Sequence, residues 1–155
     1  MNGFKGITVV SITLIFVFVS GIEANAKEKR IQKKDVPAAV ISAFEKAYPN
    51  AKVKGFSTEA ENGKTYFEVE SSVEKMGLDV SYLSDGTVVE IEEQVTVESL
   101  PDAVKATLKT NFSKARVVKA EKKTVGSTVS YELKVTFGKS KSEVEIDPGG
   151  KVLRK

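Results

Sequence analysis

Asp35-Val36-Pro37-Ala38-Ala39-Val40 returns 64 positions later as Ser99-Leu100-Pro101-Asp102-Ala103-Val104. The same offset carries Phe44, Tyr48, Ala51 and Val53 onto Leu108, Phe112, Ala115 and Val117. It also carries Phe67-Glu68-Val69-Glu70 onto Tyr131-Glu132-Leu133-Lys134, and Gly86-Thr87-Val88 onto Gly150-Lys151-Val152. A constant shift through segments of different periodicity means one folding unit written twice. The two copies read as residues 35–98 and 99–155.

Each copy opens on a helix signal. Asp35 and Ser99 are types whose side-chain oxygen can cap a helix start, and Pro37 and Pro101 follow where a missing N–H costs nothing. Asp102, three after Ser99, is a carboxylate variant of the capping box. Val36, Val40, Phe44 and Tyr48, then Leu100, Val104, Leu108 and Phe112, recur every four residues and predict a one-faced helix. Pro49 ends the first helix; the second ends around residues 111–113.

The period then falls to two. Phe67, Val69, Ser71 and Val73 alternate with Tyr66, Glu68, Glu70 and Ser72, as Tyr131, Leu133, Val135 and Phe137 do with Glu132, Lys134 and Thr136. Leu78, Val80 and Tyr82, then Val89, Ile91, Val95 and Val97, extend the first sheet; Val144, Ile146 and Leu153 extend the second. Asn62-Gly63, Met76-Gly77, Asp85-Gly86, Gly126-Ser127, Gly138-Lys139 and Gly149-Gly150 are short turns, which allow only antiparallel neighbours. The expected fold is α+β: two tandem α-β(4) repeats, each an antiparallel meander with its helix on one face, in two layers. Because a unit of about 60 residues is marginal alone, the copies are expected to share one sheet of up to eight strands. Both helices then lie on the same side.

Residues 1–26 read as a cleaved export signal. Lys5 is the positive start, residues 7–19 the apolar run, and Ala24-Asn25-Ala26 the small-x-small cleavage site. The run is shorter than the roughly 20 apolar residues of a membrane anchor, so no integral span is expected after cleavage. The expected location is periplasmic or secreted. Residues 27–34, with five basic side chains around Glu28, read as a basic, flexible lead-in. The chain has no cysteine and no histidine, which removes disulfides, a thiolate nucleophile, an imidazole base and Cys/His metal sites. No catalytic, cofactor or metal residue is therefore nominated, and no enzyme activity is expected. A net charge of +3 with no aromatics among the lysines does not point to nucleic acid.

The residues resemble a known family at this point. Val36-Pro37-x-Ala39-Val40 with Phe44, Tyr48-Pro49-Asn50-Ala51, Gly63-Lys64-Thr65-Tyr66-Phe67-Glu68-Val69 and Asp85-Gly86-Thr87-Val88 resemble the bacterial PepSY-like, β-lactamase-inhibitor-like domain. The second copy departs from the pattern at Ser113 and at Gly149-Gly150. The resemblance implies an exported helix-plus-sheet protein with no catalytic residues. It also implies a bare sheet face that can grip a protein, with enzyme inhibition as one use.

If Phe67 and Val69 face the helix, Tyr66, Glu68, Glu70, Asp79, Glu90 and Glu92 face away from it. In the second copy the same parity selects Glu132, Lys134, Glu143 and Glu145. These ten residues are the expected partner-binding set, suited to a protein or peptide, in particular a basic one. Lys46, Lys52, Lys54, Lys105, Lys109, Lys114, Arg116, Lys119, Lys122 and Lys123 are expected on the helices and first strands, as a basic helix side. The alternative role is an envelope-associated protein touching anionic surface polymer through those lysines. Neither the partner's identity nor the oligomeric state follows from the residues.

Overall fold

In the computed structural model, residues 28–61 and 63–155 are described, and the expected export signal lies outside them. The first elements are β1 (Lys29–Ile31), a 3-10 turn (Lys33–Asp35), α1 (Ala38–Ala47), β2 (Lys52–Glu61), β3 (Lys64–Val73), β4 (Met76–Tyr82) and β5 (Val88–Gln94). Then come α2 (Asp102–Asn111), β6 (Arg116–Val125), β7 (Thr128–Phe137), β8 (Ser140–Ile146) and β9 (Val152–Arg154). The nine strands make one sheet in chain order, each antiparallel to the next.

Each helix buries the stripe its sequence predicts. Val36, Val40 and Phe44 pack with Val69, Leu78, Val80 and Tyr82. Leu100, Val104 and Phe112 pack with Ala120, Leu133, Val135, Val144 and Ile146. Each large apolar side chain removed from water contributes roughly 1.5–3 kcal/mol. One cross-strand row, Leu78↔Glu93↔Lys122↔Tyr131↔Ile146, starts under α1 and ends under α2. Cross-strand partners share a face, so both helices cover the same side of the sheet.

The helix starts differ from the expected capping. Pro37 and Pro101 hold the cap positions themselves, with no side-chain cap hydrogen bond. The Ser99 hydroxyl donates to the Thr96 carbonyl at 2.8 Å, and Asp102 pairs with Lys105 at 2.9 Å. A proline with ψ near 137–146° already directs its carbonyl into the first turn, so a side-chain cap adds little.

Residues 29–31, expected in the flexible lead-in, instead form the edge strand β1, so the sheet has nine strands rather than eight. β1 pairs with β2 in the register that the end of β5 uses on β6. Lys29↔Thr58 and Arg30↔Ser57 match Glu93↔Lys122 and Gln94↔Glu121 after a shift of 64. The lysines that suggested a solvated segment satisfy an edge strand equally well. Val95, expected to extend the first sheet, donates its N–H to Ala120 at 2.9 Å and packs on the second core. Val97 lies beyond the strand and is exposed.

Two turns are locked to the helices. Gly86 and Gly150 have φ of 87° and 89°. A Cβ on them would sit 2.8 Å from the Ala39 carbonyl oxygen and 2.7 Å from that of Ala103. Only glycine combines that conformation with so close an approach.

Candidate functional site

No element covers the second side of the sheet among the described residues. Its rows follow from the register: Ser57↔Glu68↔Ser81↔Glu90, and Glu70↔Asp79↔Glu92↔Lys123↔Ser130. Further along run Gln94↔Glu121↔Glu132↔Glu145↔Arg154 and Lys119↔Lys134↔Glu143. Tyr66 stands opposite Glu59 at the far end of β3. All ten nominated residues therefore share the uncovered face, because strand parity places them there.

The structure also brings cations to this face. Lys123 Nζ lies 2.8 Å from Glu90 and 3.6 Å from Glu92, and Lys119 Nζ lies 2.5 Å from Glu121. Arg154 spans three carboxylates: Glu143 at 2.8 Å, Glu132 at 3.1 Å and Glu145 at 3.7 Å. On β1, Arg30 pairs with Glu70 at 2.8 Å. The expected separation into an acidic sheet face and a basic helix side is thus corrected. Lys119 and Lys123 sit among the carboxylates, and Lys52 and Arg116 register with Ser72 and Thr136 of the open side. Only Lys122, opposite Glu93, keeps the helix side on β6. Applying parity to β6 around Ala120 would have found Lys119, Glu121 and Lys123. Arg30 and Arg154 lie in short edge strands too brief to show a period.

These side chains are crowded enough to lose water. Glu121 and Glu132 are buried although nothing is layered on them, as are Ser57, Ser72 and Ser130. Burial, then the charges of Asp79, Glu28, Glu70 and Glu59, pushes Glu68 up to about 7. Burial likewise carries Glu92 to about 7, against the pull of Lys123. Burial also raises Glu59, Asp79 and Glu132 above the usual carboxylate range. For Lys123, burial works against the charged form, but the Glu90 hydrogen bond and nearby carboxylates outweigh it and its pKa is raised.

Asp79, Glu92 and Glu121 bring carboxylate oxygens within 4.8 Å of one another. Lys119 on Glu121 and Lys123 on Glu92 already supply positive charge there. On the helix side, a shallow groove of about 320 Å³ runs along α2, with Leu108, Phe112 and Val117 on its floor and Lys105 and Lys109 at its rim. Neither place joins a nucleophile to a base in the geometry that catalysis requires.

The fold recurs in solved structures. Solved structures of like fold include a protein described as a "putative periplasmic" protein of Bacteroides eggerthii, with a TM-score of 0.66 at 21% identity, covering 77% of this chain and 86% of that one. A DUF2874-family protein of Bacteroides uniformis gives 0.64 at 18% identity, over 77% and 87%. A BLIP-like protein of Bacteroides fragilis gives 0.60 at 18% identity, over 77% and 84%. No protein of curated function matches in sequence. The family model described as "Putative beta-lactamase-inhibitor-like, PepSY-like" matches twice, over residues 21–89 and 65–154. Two matches that together run along nearly the whole sheet and both helices carry the assignment: the chain belongs to this PepSY-like, β-lactamase-inhibitor-like family.

Proposed function

We propose that this protein is an exported, non-catalytic binding module, periplasmic or secreted, that grips a protein or peptide with its uncovered sheet face. In this reading residues 35–98 and 99–155 are two α-β(4) repeats joined edge to edge, and the ten nominated residues form the contact set. One observation carries it: a wide bare face of crowded carboxylates, on which burial pushes Glu68 and Glu92 up to about 7. Folding gains nothing from desolvating a carboxylate such as Glu68, whose charged neighbours are other carboxylates, whereas a basic surface laid over the face would be attracted and oriented by it. The periplasmic description of one neighbour and the BLIP-like description of another fit this reading. Inhibition of an enzyme is its finer form, taken from the family resemblance.

The helix-side alternative is weaker than the lysine content suggested, because Lys119 and Lys123 are spent on the open face. The test is capture from envelope extract with the protein and with its Glu68→Gln/Glu70→Gln/Glu92→Gln variant side by side. Partners held by the protein and lost by the variant support the face. A partner set unchanged by the variant rejects it.

A further inference from the structure

The two halves of the open face treat their matched carboxylates, Glu68 with Glu132 and Asp79 with Glu143, differently. On the second half Arg154 reaches across β7 and β8 to Glu132, Glu143 and Glu145, with contacts of 2.8–3.7 Å. Shifted back by 64, Glu132 and Glu143 become Glu68 and Asp79, while Arg154 becomes Glu90 and Lys123 becomes Glu59. Two cations of the second half, Arg154 and Lys123, are therefore carboxylates in the first, while Glu145 answers to Ser81 and Lys119 to Gly55. Arg30 is engaged by Glu70, and Lys123 by Glu90 and Glu92. Among the described residues, Glu59, Glu68 and Asp79 form no ion pair, and Glu70 Oε1 is buried without a hydrogen-bond partner. Every charge felt strongly by Glu68 is another carboxylate.

We propose that the first half of the face docks a basic partner protein by receiving one of its arginine side chains over Glu68 and Asp79, as Arg154 lies over Glu132 and Glu143. This rests on the open-face reading above and deepens it by naming the half and the chemistry. A guanidinium fits better than an ammonium. It spreads donors over several nitrogens, as Arg154 does with Nη2 toward Glu132 and Glu143 on adjacent strands and Nε toward Glu145, whereas a lysine is a single point of charge. The second half, already neutralised from within, contributes shape rather than charge recognition.

The experiment uses the full chain, isotopically labelled, titrated with an Arg-Gly repeat peptide, and with Lys-Gly and Glu-Gly repeats as comparisons. The expected result is saturable binding of the Arg-Gly peptide with shifts at open-face positions of β3, β4 and β5. The Lys-Gly peptide binds more weakly and the Glu-Gly peptide not at all. Glu68→Gln/Asp79→Asn weakens binding by about tenfold or more, and Glu143→Gln/Glu145→Gln changes it less than about twofold. Arg154→Ala exposes the second set of carboxylates and raises the stoichiometry from one peptide to two. Shifts centred on β7 and β8, or equal losses from both double variants, overturn the arginine site while leaving the open face as the docking surface. Shifts confined to the helix side, or no saturable binding, overturn this inference, and helix-side shifts also overturn the open-face reading.

Discussion

The two halves share a fold down to the residue and differ in how their charges are satisfied. α2, β6, β7 and β8 begin and end 64 positions after α1, β2, β3 and β4. Under each helix the core repeats too: Val69 and Val80 stand where Leu133 and Val144 stand, and Tyr82 where Ile146 does. On the open side, Arg154 and Lys123 occupy positions that hold Glu90 and Glu59 in the first half. A fold tolerates sign reversal on a wet face because each surface ion pair is worth only about 0–1 kcal/mol. It tolerates little change in a packed core. The duplicated chain could therefore diverge in surface chemistry while its architecture stayed fixed.

The most severe way to break the comparison is through the cores. Leu133→Ala and Val69→Ala remove matched side chains that are fully buried. Leu133→Ala should cost about 2–5 kcal/mol in urea denaturation, and Val69→Ala less, since a smaller side chain is lost. If the halves form one cooperative sheet, each variant should still unfold in a single transition. Two separated transitions would show that they are independent.

The helix-facing turns come next. Gly86→Ala and Gly150→Ala each force a Cβ against a helix carbonyl at positive φ, and each should cost about 2 kcal/mol. Gly150→Ala should cost somewhat more, because its Cβ also meets Thr107 Oγ1 at 2.9 Å. Equal thermal shifts would show that Thr107 rotates away without penalty.

Charge effects are smaller and have a defined sign. Glu68 and Glu92 have folded pKa values of about 7, above the unfolded value of about 4.3. Groups raised by folding contribute stability that is complete below the unfolded pKa and is lost as pH rises through the folded one. Stability should therefore fall by about 1 kcal/mol, after allowance for solvent screening, between pH 5 and pH 8. Glu68→Gln should flatten that slope and raise the melting temperature at pH 8. Arg154→Ala should act in the opposite sense, destabilising by about 1 kcal/mol at pH 8 and less at pH 5. A pH profile unchanged by Glu68→Gln would mean that the first-half carboxylates are fully solvated.

The smallest effect concerns an unpartnered polar atom of the first core that the second lacks. The Tyr82 hydroxyl is buried without a hydrogen-bond partner, and burial pushes its pKa up to about 12. Its counterpart, Ile146, carries no polar group. Tyr82→Phe should be neutral or stabilising by up to about 1 kcal/mol, read from the denaturation midpoint. A clear loss of stability would reveal a partner for that hydroxyl.

Much of this was legible in the residues. The 64-residue repeat, both helices, the faces of β3 and β7, and the placement of all ten nominated residues follow from local periodicity. Side-chain direction along a helix or strand is fixed by the backbone of that element alone. β1 was not legible, because three residues are too few to show alternation and their lysines also fit a solvated segment. Local spacing suggests Asp35 and Ser99 as caps with Pro37 and Pro101 in the first turn, whereas the prolines hold the cap positions themselves.

By itself, the sequence determined that one unit is written twice and which side of each unit is oily. Those properties depend on spacing within a single element. Only the tertiary structure decided which cation meets which carboxylate: Arg30 on Glu70, Lys123 on Glu90, Arg154 across three strands. Such pairs join residues tens of positions apart, and they depend on strand register and on bulges such as that between Val117 and Lys119. A one-residue change there turns a side chain to the other face, so charge neutralisation is a property of the assembled sheet.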